Sequence, residues 1–375
     1  MGWVSNNFEL SRGGAGHNML PMEGLRGFAV LLVFLVHYCT LAGDWMPPNS
    51  AIAFWSGAIH TVGNVGVDLF FVLSGYLIYG SLISRKKPFI NFVRKRIARI
   101  YPAFCVVFVI YLCLSVAFSQ ESKIPPETYA AGVYILQNFL LLPGLFPIDP
   151  LIAVAWSLSY EMFYYLLIPA VIVLFRLRRR SGRWRTVFFL VVGTAFGAYC
   201  ATRGGPVRLM MFIAGIMVHE MLNRPRPIAL SSRYAVLALI CGILAMLLPL
   251  RGSSGEAVKF LILALSFFVV CYSCFRHPAQ GLACTFSWTP LRWLGNMSYS
   301  YYLLHGLVLN VGFRLLHRAL PTVSHEALFF VGVLLPMFIV TLIPTITLYV
   351  FVERPFSLAK PNEQAEILCA PLKPA

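Results

Sequence analysis

Apolar runs long enough to cross a ~30 Å hydrocarbon core recur along the chain, each bounded by short polar or basic stretches. They fall near residues 26–43, 62–83, 100–119, 151–175, 186–202, 207–222, 234–250, 257–275, 298–316 and 327–352. Between the first two, residues 44–61 contain Asp44, Pro47 and Pro48 and read as an outer loop. The second run carries Gly63, Gly66, Gly75 and Gly80, and small residues let helices approach closely in lipid. A further apolar stretch, 130–146, is short and ends at Pro143, Gly144 and Pro147. The pattern predicts an all-α polytopic membrane helical bundle.

Charge placement fixes the expected topology. Only 12% of the residues are charged and 59% are hydrophobic, against roughly 25% charged in a soluble domain. The net charge of +16 would suit nucleic acid if it formed one patch. Instead the Lys and Arg cluster in short loops, seven in 84–99 and six in 176–185. That is the distribution of a topology signal, and no nucleic acid is expected. With about ten transmembrane spans, both clusters and both termini lie in the cytoplasm. Were 130–146 to cross, the Arg176–Arg185 cluster would move outside, so this stretch is expected to be re-entrant or non-spanning. The chain then divides into a flexible N-terminal segment (1–19), a membrane domain (20–355) and a short cytoplasmic tail (356–375). The first apolar run lacks a clear cleavage site and reads as a retained span. Nine scattered cysteines argue against a disulfide framework. The single C-x-x-C at Cys271 and Cys274 is too weak a signal for a metal or redox site, and no metal is expected.

Candidate chemistry begins at LPMEGLRGFAVLLVFLVHY, residues 20–38. On a helix Arg26 and His37, eleven residues apart, share one face and are separated by ~16 Å of axial rise. Few other ionisable groups lie deep in the spans: Asp68, Glu161 and His305. Such groups are costly in lipid and mark functional sites or mutual pairing. A proton-coupled transporter or flippase would show the same set. In PFINFVRKRIARIYP, residues 88–102, Arg96 and Arg99 have i,i+3 spacing and would face together on a helix at the cytoplasmic surface. Paired guanidinium groups suit phosphate oxygens, although attraction to anionic membrane lipids would use the same charges. An anionic head near Arg26, Arg96 and Arg99 and an arm reaching His37 together describe an acyl-CoA.

Five motifs in order resemble the membrane acyltransferase-3 superfamily: LRGFAVLLVFLVH, VGVDLFFVLSGYLI (65–78), FVRKRIARIYP (92–102), WSLSYEMFYYLLIP (156–169) and LGNMSYSYYLLH (294–305). The resemblance covers about residues 20–355. It implies transfer of an acyl group, usually acetyl, from cytoplasmic acyl-CoA to a hydroxyl of a cell-surface or lipid-linked carbohydrate. It also places the chain in a bacterial inner membrane. The family's essential arginine and histidine fall on Arg26 and His37, and its R-x-x-R on Arg96 and Arg99. Some members carry an extracellular hydrolase-like domain. None is expected here, which leaves room for a separate partner in onward acyl transfer.

His37 is then the expected general base, because its unperturbed pKa lies near neutrality. Either Asp68 or Glu161 could orient it, with Glu161 preferred by depth. Tyr76, Trp156 and His305 are candidates for contact with the acceptor, His305 as a positioning group. Tyr164, Tyr301 and Tyr302 are further hydroxyl donors. The remaining alternative within the same chemistry is a small-molecule acceptor such as a macrolide.

Overall fold

A computed structural model describes residues 7–9, 20–84, 88–226 and 230–358. Of the expected tail (356–375), residues 359–375, together with most of 1–19, lie outside the described residues. Within them the chain is 81% helical with no strand, so the polytopic helical class is the one the hydrophobic pattern predicts. Seven helical segments are long and apolar enough to cross a membrane: Leu20–Trp45, Ala51–Ile83, Phe89–Ala117, Ala155–Leu174, Gly182–Arg203, Gly252–Arg276 and Glu326–Leu358. The other three expected spans correspond to helices of different character. Met210–Leu222 and Arg233–Met246 have 13 and 14 residues, about 20 Å at 1.5 Å per residue. Ser298–Ala319 has 22 residues, but its tyrosines, His305, Asn310 and Arg314 make it more polar.

Two boundaries differ informatively from the expectation. Residues 51–61, read as loop, are helical. Pro47, Pro48 and Asn49 (φ 65°) form the turn, Ser50 Oγ then accepts from Ala53 N at 3.2 Å, and AIAFWSGAIH contains no proline to stop the helix. The basic stretch 89–99 is likewise not a separate surface helix, because Phe89–Ala117 runs unbroken through Pro102. The stretch 130–146 behaves as charge predicts. Its helix, Thr128–Phe139, has 12 residues, about 18 Å and too short to span. Leu141 (φ 56°) and Gly144 (φ 89°) then turn the chain back. There Leu151 N donates to Asn138 Oδ1 at 2.7 Å.

The helices are α1 (Leu20–Ala42), α2 (Ala51–Gly63), α3 (Val65–Ile83), α4 (Phe89–Ala117), α5 (Thr128–Phe139), α6 (Ala155–Leu174), α7 (Gly182–Arg203), α8 (Met210–Leu222), α9 (Arg233–Met246), α10 (Gly252–Arg276), α11 (Leu282–Phe286), α12 (Thr289–Asn296), α13 (Ser298–Ala319) and α14 (Glu326–Leu348). A π-helical segment follows at Tyr349–Leu358. They form two compact units, one of residues 1–86, 163–298 and 313–334, the other of 87–162, 299–312 and 335–375.

In the first unit α1 is central, packed by α2, α3, α11 and α12, while α3 packs on α8 and α8 on α7 and α10. Glycine makes these crossings possible. A Cβ at Gly24 or Gly27 would strike the carbonyls of Phe286 and Leu291, and one at Gly63 or Gly66 those of Leu32 and Ala29. Gly75 and Gly215 bring α3 and α8 together in the same way. Backbone cannot yield as a flexible side chain does. Gly27→Val and Gly215→Val should therefore destabilise the protein by about 1–3 kcal/mol or more, read as a lowered melting temperature in detergent. The short N-terminal piece 7–9 is tied to the same unit, with Phe8 buried and Glu9 paired to Arg292 at 2.6 Å.

In the second unit α4 packs on the π-helical segment. Tyr101, Phe104, Phe108 and Phe139 form an aromatic cluster with centroid separations of 5.4 to 5.8 Å along the chain of neighbours.

Candidate active site

The structure divides the candidate residues between the two units. Arg26, His37, Asp68 and Tyr76 belong to the first. Arg96, Arg99, Trp156, Glu161 and His305 belong to the second.

Arg26 and His37 sit on the uninterrupted helix α1, whose rise separates them by ~16 Å on nearly one face. Arg26 is half-buried, and its Nε and Nη2 donate to Ser298 Oγ at 3.2 and 2.8 Å. His37 is half-buried and lies within electrostatic reach of His60 on α2. That neighbour was hidden while 51–61 read as loop. Behind His37, Tyr38 is fully buried among Phe34, Phe313 and Phe330, and its hydroxyl donates to Phe330 O.

Asp68 is fully buried on α3, and Arg208 Nη1 reaches its Oδ2 at 3.1 Å. The same nitrogen donates to Asn64 O at 3.3 Å, and the guanidinium lies over Phe260 at 5.2 Å. The carboxylate thus anchors the start of α3 through Arg208. Tyr76 is half-buried, its ring 4.9 Å from Phe275 and 5.9 Å from His219. Two further charge clusters escaped notice. Glu220 accepts from Arg185 Nε and Nη2 at 2.7 and 3.0 Å and from Tyr79 OH. Glu23 pairs with Arg292 at 3.1 Å. Spacing could not reveal these pairs, whose members lie 35 and 269 positions apart.

In the second unit Arg96 and Arg99 do not stand as a bare cationic pair. Arg96 lies over the Phe92 ring at 5.3 Å. Arg99 lies over Tyr299 at 6.0 Å, and its Nη2 is 2.9 Å from Glu353 Oε1. Glu353 is fully buried, and its other oxygen accepts from Ser300 N and Oγ at 3.0 and 2.6 Å. Its place in VERP, at the end of the last apolar run, drew no attention in the sequence. Glu161 is half-buried on α6, and Trp156 meets Tyr160 edge-on at 5.7 Å. His305 is fully buried, with Nδ1 donating to Tyr301 O at 2.9 Å and its ring parallel to that of Tyr301 at 5.3 Å. Ser157 Oγ and Tyr302 OH are hydrogen-bonded at 2.7 Å, and Tyr301 OH bonds Thr341 Oγ1 at 2.9 Å. Among the described residues no group of three or more His, Cys, Asp or Glu is placed to hold a metal ion. Cys271 and Cys274 are buried free thiols.

A family model described as an acyltransferase domain matches residues 21–349. The chain is 27% identical over 318 residues to the peptidoglycan O-acetyltransferase OatA of Listeria monocytogenes, covering 76% of this chain and 48% of that protein. It is 28% identical over 320 residues to the O-acetyltransferase OatA of Staphylococcus aureus, covering 76% and 49%. Against the acyltransferase MdmB of Streptomyces mycarofaciens it is 27% identical over 370 residues, covering 89% and 90%. The chain thus spans about half the length of the OatA relatives. No solved structure matches.

Proposed function

Since the chain belongs to the acyltransferase-3 family, we propose that it is an integral membrane O-acyltransferase moving an acyl group, acetyl by preference, from cytoplasmic acyl-CoA to a carbohydrate hydroxyl. The observation that carries this reading is the family match over 21–349, within which Arg26 and His37 lie on one continuous helix. Family membership favours the enzyme over a proton-coupled transporter. The names of both OatA relatives support acetyl as the group, and that of the Listeria protein supports peptidoglycan as the acceptor.

In this reading His37 removes the acceptor's hydroxyl proton as the oxygen bonds to the acyl carbon. The carbon–sulfur bond breaks, and the departing sulfur takes the electron pair and then the proton that His37 holds. Within the first unit Arg26 supplies the positive charge directed at the donor. Asp68, engaged by Arg208, holds α3 in place, and Glu161 is the carboxylate proposed to assist the chemistry from the second unit. Within the second unit Arg96 and Arg99 take phosphate oxygens. Arg99 Nη1 is buried and has no hydrogen-bond partner among the described residues, as suits a donor kept for a ligand. Trp156, Tyr76 and His305 are proposed to shape the acceptor's surroundings.

A second reading, a small-molecule hydroxyl as acceptor, is favoured by one observation. MdmB, a relative matched over 90% of its length, is named an acyltransferase with no glycan in its name. Purified protein in lipid nanodiscs, given acetyl-CoA, should release free thiol when a soluble peptidoglycan fragment is added. Release only with small alcohols would select the second reading, and acetyl-CoA binding without release to any hydroxyl would overturn both. Changing Arg96 and Arg99 together to Gln should raise KM for acetyl-CoA at least about tenfold, ~1.4 kcal/mol, with less effect on kcat. An unchanged KM would return these arginines to lipid attraction.

A further inference from the structure

Glu353, like Glu23 and Glu220, is a buried carboxylate that the mechanism above does not use. It is wholly shielded from solvent, whereas its ion-pair partner Arg99 is 21% exposed. A buried carboxylate needs donors beyond its counter-charge, and those donors also set its orientation. This one has Oε2 fixed by both the amide and the hydroxyl of Ser300, at the start of α13, while Oε1 faces Arg99 Nη2. The π-helical segment carrying it packs along α4, the helix of Arg99. The guanidinium is therefore ion-paired at Nη2, with an Oε1 that has no hydrogen bond of its own, and lies over the Tyr299 ring. Its Nη1 is left buried with no hydrogen-bond partner among the described residues. A planar guanidinium presents donors on more than one edge, so engaging one edge fixes where another points.

We propose that Glu353 is a positioning residue for donor binding: anchored by Ser300, it fixes Arg99 so that Nη1 meets a phosphate oxygen of acyl-CoA. This rests on the assignment of Arg99 to the donor. It inverts the simplest electrostatic expectation. Removing a negative charge beside an anion site should tighten anion binding, yet here the loss of orientation outweighs the gain in charge. Preorganisation of this kind acts on affinity rather than on the chemical step.

The test measures acetyl-CoA binding by calorimetry, without acceptor, to protein in nanodiscs of phosphatidylcholine alone and with phosphatidylglycerol added. Glu353→Gln should raise Kd about tenfold in both lipids, ~1.4 kcal/mol, and raise KM with kcat at saturation nearly unchanged. Glu353→Asp should recover part of the affinity. Ser300→Ala, which retains the charge and is small enough to leave the fold intact, should weaken binding in the same direction but less. In a double-mutant cycle Arg99→Gln with Glu353→Gln should bind no worse than Arg99→Gln alone. Tighter or unchanged binding by Glu353→Gln, or additive losses in the cycle, would overturn the proposal while leaving Arg99 in its role. A defect seen only with phosphatidylglycerol would also overturn it, assigning Arg99 to lipid phosphate. If Arg99→Gln itself leaves Kd unaltered, the donor assignment fails first.

Discussion

His37→Gln should reduce acyl transfer at least about a hundredfold while leaving membrane abundance and melting temperature as they are. Glutamine preserves a polar side chain of similar reach at this half-buried position, but it cannot accept a proton near neutral pH. Its amide can still hydrogen-bond, so packing between α1 and α2 is retained. Thiol release and acetylated product are the activity measurements, with quantitative blotting of the membrane fraction beside them. Turnover within a few-fold of the parent would hand the base role to another group. His60 is then the first to examine, because it is the imidazole within electrostatic reach of His37.

A second large effect is expected in stability. Arg208→Met removes the counter-charge from a carboxylate with no solvent exposure, and breaking a buried pair from one side costs about 3–5 kcal/mol. The protein should melt at a markedly lower temperature or fail to accumulate. Combining Asp68→Asn with Arg208→Met should restore most of the loss, since the pair is then removed from both sides. Activity in the double variant separates the two roles considered for Asp68. If the carboxylate only anchors α3, the restored protein keeps its kcat; a restored fold with kcat lowered a hundredfold would make Asp68 part of the chemistry.

The long apolar runs were legible because hydrophobic periodicity and length are local properties. The same holds for the failure of 130–146 to cross, which charge bias and three helix-breaking residues foretold together. The helix at 51–61 was missed because Pro47 and Pro48 dominated the reading of a stretch whose later residues contain no proline. The three helices of lower hydropathy or length show the limit of reading spans from composition alone. At the site, Arg26 and His37 could be placed from one helix's repeat. What could not be read was which distant residue answers each charge: Arg208 for Asp68, Glu353 for Arg99, Arg185 for Glu220. Those pairings arise only when separate helices are packed together, and no spacing encodes them.

The carbonyl-to-glycine crossings that clamp α1 on two sides turn that helix into a caliper. With its backbone wedged at Gly24 and Gly27 and again opposite Gly63 and Gly66, it cannot slide to suit a longer or shorter donor arm. A single inserted residue would swing the imidazole through about 100°, whereas a four-residue insertion nearly keeps the facing and lengthens the reach by about 6 Å. In the proposed assignment, where Arg26 and His37 bracket the donor, retuning of donor length thus proceeds in whole helical turns.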